Sequence, residues 1–92
     1  MNKRVIIKVS GAVQGVFFRA HIFDKAQEIL LVGWVSNEPD GTVKIVVEGE
    51  EEKLKKFIEY CKEGPKFANV ENLDVKWEEA KGEFEKFEIR YF

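Results

Sequence analysis

The segment Gly11-Ala12-Val13-Gln14-Gly15-Val16-Phe17-Phe18-Arg19 holds two glycines, one arginine and no acid, between an apolar strand pattern and an apolar helix pattern. A helix start carries unpaired N–H groups and partial positive charge, so it ordinarily draws an acid or a Ser, Thr, Asp or Asn cap. Here that place is left open and an arginine is added to it. An anion from outside the chain, a phosphate above all, would complete it. Gly11 and Gly15 permit positive φ and close backbone approach, and Gly11 and Gln14 are expected to shape the loop. The N–H groups of Gly15, Val16, Phe17 and Phe18 can then converge on one anion. Arg19 supplies a planar, permanently charged fork for its oxygens. The spacing is not a Walker A loop, since no Lys-Ser/Thr follows Gly15, and it lacks GxGxxG. For the loop taken alone, a glycine-punctuated strand-to-helix turn with a solvated Arg19 is the better account.

Asn37 is the second polar residue of interest. Asn is common before turns such as Glu38-Pro39-Asp40-Gly41, so only its place beside the loop raises a functional role. His21, two residues past Arg19, reads as a solvated or packed side chain rather than a catalytic acid. Cys61 falls in an apolar stripe and reads as a small core residue. One cysteine and one histidine make neither a disulfide nor a usual zinc site, so no metal and no cofactor are expected.

The elements that must position these residues follow from periodicity. Val5, Ile7 and Val9 alternate as a strand with a central place in its sheet. Residues 16–30 form a helix pattern with Phe18, Ile22, Ala26, Ile29 and Leu30 on one face, ended by Gly33. Residues 31–37 and 42–48 read as a hairpin across the Pro-Asp-Gly turn. Residues 50–62 form a second helix, with Leu54, Phe57, Ile58 and Cys61 inward and Glu50, Glu51 and Glu52 at its start, where acids suit the dipole. Leu73, Val75 and Trp77 alternate in a fourth strand, and Phe87, Ile89 and Tyr91 in a last one. The terminal Tyr91-Phe92 either reaches the site or merely ends an edge strand.

This order, β-α-β-β-α-β with an additional short C-terminal strand, predicts an α+β two-layer sandwich of the ferredoxin-like kind, with two helices on an antiparallel sheet. Its first and second strands run parallel with the third between them, which brings the loop after the first strand close to Asn37. At 92 residues the chain is expected to be one domain, 1–92. A hydrophobic fraction of 45%, a charged fraction of 35% and a net charge of −2 suit a cytoplasmic globular protein. The charge argues against binding to nucleic acid, and with no stretch approaching the length of a membrane span no membrane partner is expected. The chain is expected to act as a monomer.

Two motifs make the reading specific. Gly11-Ala-Val13-Gln14-Gly15-Val16-Phe-Phe18-Arg19 resembles the first signature of the acylphosphatase family. Gly33-Trp34-Val35-Ser36-Asn37-Glu-Pro-Asp-Gly41-Thr-Val43, running on to Gly49, resembles the second. Phe17 and Ser36 depart from the commonest residues at their places. The resemblance covers nearly the whole chain and implies hydrolysis of an acyl phosphate to a carboxylate and inorganic phosphate. Arg19 and the loop N–H groups would bind the phosphoryl group, and Asn37 would hold the attacking water. The expected partner is then a small-molecule acyl phosphate, with inorganic phosphate or sulfate binding at the same place. Phe17, Phe23 and Trp34 are candidates to touch the acyl group. The alternative is a non-catalytic phosphate-binding regulatory module on the same fold. An RNA-binding domain of this element order fits worst, since the chain is acidic and has no RNP1-like run.

Overall fold

Alternation at period 2 and apolar faces at helical spacing lead to the expected order of elements in the structure, a computed structural model that describes residues 2–91. The elements are β1 (Asn2–Ala12), α1 (Phe18–Glu28), β2 (Val32–Asn37), β3 (Val43–Glu50), α2 (Glu51–Glu63), β4 (Asn69–Glu79) and β5 (Phe87–Arg90). Phe92 lies outside the described residues. The strands form one sheet in the order β4-β1-β3-β2-β5. β1 and β2 each pair antiparallel with β3, so they run parallel to one another and α1 is their crossover. Val5, Ile7, Val9, Val35, Val43, Ile45 and Val47 face the helices and are wholly buried. Phe18, Ile22 and Ala26 of α1 and Leu54, Phe57, Ile58 and Cys61 of α2 close the core from above.

The sheet is mixed rather than antiparallel throughout. β5 pairs parallel with β2, from Gly33↔Phe87 to Ser36↔Arg90. Because β4 and β5 lie at opposite edges, residues 80–86 must cross the sheet. A buried carboxylate holds that crossing. Arg4 and Glu48 face each other across β1 and β3, and Arg4 Nε donates to Glu48 Oε2 at 2.7 Å. The N–H groups of Lys81 and Gly82 donate to the same carboxylate at 2.9 and 3.1 Å. Arg4 also reaches Glu83 at 2.6 Å and lies over the Phe84 ring. Burial pushes the Glu48 carboxyl up, but these donors outweigh it and hold it below its usual value.

The first helix is shorter than its apolar pattern predicts. It begins only after Phe17, whose φ of 64° is left-handed, and ends at Glu28. Leu30 was expected on the inner face but is exposed, at a φ of 59°, while Leu31 turns inward. Leu30 N–H donates to Gln27 and Leu31 N–H to Ala26, the paired bonds of a Schellman ending. A leucine therefore stands where glycine is favoured, and Gly33 lies inside β2 instead of ending the helix. Leu30→Gly should stabilise the protein by about 0.5–1 kcal/mol in urea unfolding, since positive φ strains leucine but not glycine. Glu48→Gln should destabilise it by about 2–3 kcal/mol near neutral pH. A lowered carboxyl stabilises the fold above its unfolded value of 4.5 and ceases to do so as pH falls through the folded value. The deficit of Glu48→Gln should therefore shrink on acidification, and a deficit independent of pH would contradict the account.

Candidate active site

The parallel run of β1 and β2 puts their carboxyl ends at one edge of the sheet, and the loop between β1 and α1 lies there. Gly11 sits at a bulge where the register of β1 against β4 shifts. Its φ is 124°, and a Cβ there would lie 2.1 Å from the Asn69 carbonyl oxygen. The close approach expected of Gly11 is therefore to the backbone of β4 and not to a ligand. Gly15 is different: its φ is 72° and a Cβ would meet nothing within 4 Å among the described residues. Phe17 is also left-handed, and Val16 between them is not. Such alternation of φ sign turns successive N–H groups toward one point and makes an anion-binding concavity.

α1 starts from that concavity without a cap. Phe17 gives no side-chain hydrogen bond and no acid lies in the first turn. The first intrahelical N–H is that of His21, bonded to the Phe17 carbonyl at 3.0 Å. Among the described residues, the N–H groups from Gly15 to Ala20 donate to no group of the chain. α2 is the contrast within the same protein, with Glu51 and Glu52 in its first turn. Neither helix has a side-chain cap, but only α1 also lacks acids in its first turn.

The side chains fit the same picture. Arg4 and Arg90 each meet a carboxylate. Arg19 meets none among the described residues, and its guanidinium lies 4.8 Å from the centre of the Tyr91 ring. A pocket of about 290 Å³ is lined by Val13, Gly15, Phe17, Phe18, Arg19, Ala20, Asn37, Ile89 and Tyr91. Arg19 and Asn37, 18 positions apart in sequence, share it, and the Asn37 side-chain oxygen is buried without a hydrogen-bond partner among the described residues. Gln14 shapes the loop from outside the pocket. Its amide donates to the Glu38 carbonyl at 2.8 Å and the Thr42 carbonyl at 2.9 Å, the two residues that close the β2–β3 turn. Val16 packs its side chain against the core and does not line the pocket.

Other expectations resolve differently. Phe23 packs on Phe87 at the core edge, and Trp34 stands on the open sheet face between Arg90 and Lys44. Neither lines the pocket, whereas Ile89 and Tyr91 do. The parallel pairing of β5 brings them there: Ser36 faces Arg90, so Tyr91 follows in line with Asn37. His21 is packed rather than solvated, stacked on Tyr60 with its Nδ1 3.2 Å from the Tyr60 hydroxyl. Burial lowers its pKa below the usual imidazole value, against the pull of Asp24 and Glu63. Burial likewise pushes the Cys61 thiol up and makes it unreactive. Among the described residues, no three His, Cys, Asp or Glu side chains converge as a metal-binding group.

A family model described as Acylphosphatase matches residues 5–89. A relative named Acylphosphatase from Syntrophus aciditrophicus is 47% identical over 91 residues, covering 99% of this chain and 95% of that one. Another so named, from Pyrobaculum calidifontis, is 51% identical over 87 residues, 94% of this chain and 79% of the relative. The crystal structure of acylphosphatase from Bacillus subtilis superposes with a TM-score of 0.91 at 38% identity, covering 99% of this chain and 100% of that one.

The two bonds from Gln14 carry a measurable load. Gln14→Ala should lower stability by about 1–2 kcal/mol in urea unfolding, the net worth of two partly buried hydrogen bonds. A loss below about 0.3 kcal/mol would show that the loop holds its place without them.

Proposed function

The chain belongs to the acylphosphatase family and is an acylphosphatase, and we propose that it works by in-line attack of a water held by Asn37 on a phosphoryl group held by Arg19 and the loop N–H groups. The observation that carries this reading is the convergence on one pocket of Arg19, Asn37 and the open start of α1. The substrate is an acyl phosphate, and the products are a carboxylate and inorganic phosphate. The N–H groups of Gly15, Val16, Phe17 and Phe18 receive the non-bridging phosphoryl oxygens, and the Arg19 guanidinium adds a charged fork. Only the backbone of Val16 takes part, since its side chain belongs to the core.

The chemistry asks for little more. The water oxygen forms a bond to phosphorus as the bond from phosphorus to the acyl oxygen breaks. The carboxylate leaves with that electron pair. Its conjugate acid has a pKa of about 4–5, so no general acid is needed. A loose phosphoryl-transfer transition state calls for positioning and for stabilisation of charge on the equatorial oxygens, and fixed N–H dipoles with one arginine supply both. Asn37 is no base; its amide orients the water. The water's proton passes to a phosphoryl oxygen and leaves with the phosphate. No assigned group requires a metal ion or a second copy of the chain.

With benzoyl phosphate, Arg19→Ala should lower kcat/KM by about a thousandfold, and Asn37→Ala should lower kcat by about a hundredfold or more. Both variants should keep the wild-type unfolding transition. Hydrolysis should persist in chelator and be inhibited competitively by inorganic phosphate. In ¹⁸O-labelled water the label should enter the phosphate. Full turnover in Arg19→Ala, or label in the benzoate, would overturn the mechanism. Rates should be level around neutral pH, because no assigned group titrates there; a kinetic pKa near 7 would require a base outside this scheme.

A further inference from the structure

Phe17 is unfavourable in two ways that nothing among the described residues offsets. It holds a left-handed φ, which strains any residue with a Cβ and a bulky one most. Its side chain is also 78% exposed. The anion concavity accounts for the backbone angle, but a glycine would serve it equally and without strain. The phenyl ring therefore needs a separate reason. Strain and apolar exposure that coincide at a pocket wall point to a ligand that covers them.

The other side of the pocket carries the same character. Tyr91 is 75% exposed, with its ring over the Arg19 guanidinium. Ile89 of β5, two residues before it, lines the same pocket and is only partly buried. The pocket is thus polar where Arg19, Asn37 and the loop N–H groups meet, and apolar along Phe17, Ile89 and Tyr91. Its volume of about 290 Å³ exceeds a phosphoryl group's needs. A cavity of about 150 Å³ is enough for a benzene ring, so the remainder accommodates an aryl group.

We infer that Phe17 and Tyr91 are specificity-determining residues that receive the acyl half of the substrate, and that they select acyl phosphates with a large apolar, above all aryl, acyl group over acetyl phosphate. This inference rests on the acyl phosphate reading given above. The phosphoryl group is held at the loop while the carbonyl carbon and its substituent lie between the two rings. Offset or edge contacts of aromatic faces favour an aryl substituent there. The Tyr91 ring further limits the directions open to the Arg19 guanidinium, so that its fork stays turned to the phosphoryl end.

The test compares kcat/KM for benzoyl phosphate and for acetyl phosphate in the wild type, Phe17→Gly, Tyr91→Ala and Tyr91→Phe. The ratio of the two cancels any change in the phosphate cradle that both substrates share. The wild type should prefer benzoyl phosphate at least tenfold. The ratio should fall roughly tenfold in Phe17→Gly and several-fold in Tyr91→Ala, through the KM for benzoyl phosphate, and remain in Tyr91→Phe. Phe17→Gly should melt at or above the wild-type temperature, because glycine relieves the strained angle; this separates lost selectivity from lost folding. An unchanged ratio in Phe17→Gly and Tyr91→Ala, with turnover retained, would overturn this inference alone. Failure of the wild type to hydrolyse either substrate would overturn the hydrolytic reading and this inference with it.

Discussion

The Gln14 amide spans the gap on which the site depends. Parallel strands bring the end of β1 and the end of β2 to the same edge of the sheet, but topology specifies an edge and not an interatomic distance. Gln14 does the rest by donating to the carbonyls of Glu38 and Thr42. Those two residues already close the hairpin, through Glu38 N–H and the Thr42 carbonyl at 2.8 Å. The hairpin is in turn pinned by Asp40, which accepts from the Thr42 hydroxyl and N–H and pairs with Lys8 on β1; these partners hold its carboxyl at about 2. Loop, hairpin and first strand therefore form one closed set of bonds around Asn37. In the proposed mechanism that set fixes the water relative to the phosphoryl group, and sub-ångström placement is where the rate of such a reaction lies.

Electrostatics and backbone strain act together at the start of α1. In α2 acids occupy the first turn, where they suit the partial positive charge of a helix start. In α1 a left-handed phenylalanine precedes the first turn, and the turn itself holds an arginine that meets no carboxylate among the described residues. Both features oppose stability when nothing is bound. Each acquires a use if an anion occupies the concavity, since positive φ aims the N–H groups and the guanidinium adds charge without having to leave a carboxylate among the described residues. The buried Arg4–Glu48 pair serves the site from the far end of the sheet: it anchors residues 80–86, and their crossing delivers Ile89 of β5 and the Tyr91 that follows the strand to the pocket.

Much of this is legible in the sequence. Val5-Ile7-Val9 and Val43-Ile45-Val47 announce their strands because one buried face imposes period 2. Leu54, Phe57, Ile58 and Cys61 announce α2 because one buried stripe imposes 3.6. Arg19 and Asn37 each have an ordinary local reading, as a solvated and a turn residue, and only the two motifs taken together mark them. What stayed hidden depends on partners distant in sequence. The purpose of Gly11 is set by Asn69, that of Gln14 by Glu38 and Thr42, and the parallel pairing of β5 by the reach of residues 80–86. Leu30 misled because its spacing fits the inner face of α1, while a Schellman ending turns the chain one residue earlier. Tyr91 had only an alternating pattern as its signal, and nothing local tells that its strand would lie beside β2. Trp34 carried a site-like motif around it but faces the open side of the sheet.

The central claim is a division of labour: the loop and Arg19 bind the phosphoryl group, while Asn37 acts on the water alone. Calorimetric titration of inorganic phosphate into the folded variants tests that division directly, without turnover. Asn37→Ala should bind phosphate within about threefold of the wild-type affinity, and Arg19→Ala should bind it at least tenfold more weakly, as expected for loss of a charge-assisted hydrogen-bond pair. Wild-type affinity in Arg19→Ala, or loss of phosphate binding in Asn37→Ala, would contradict it.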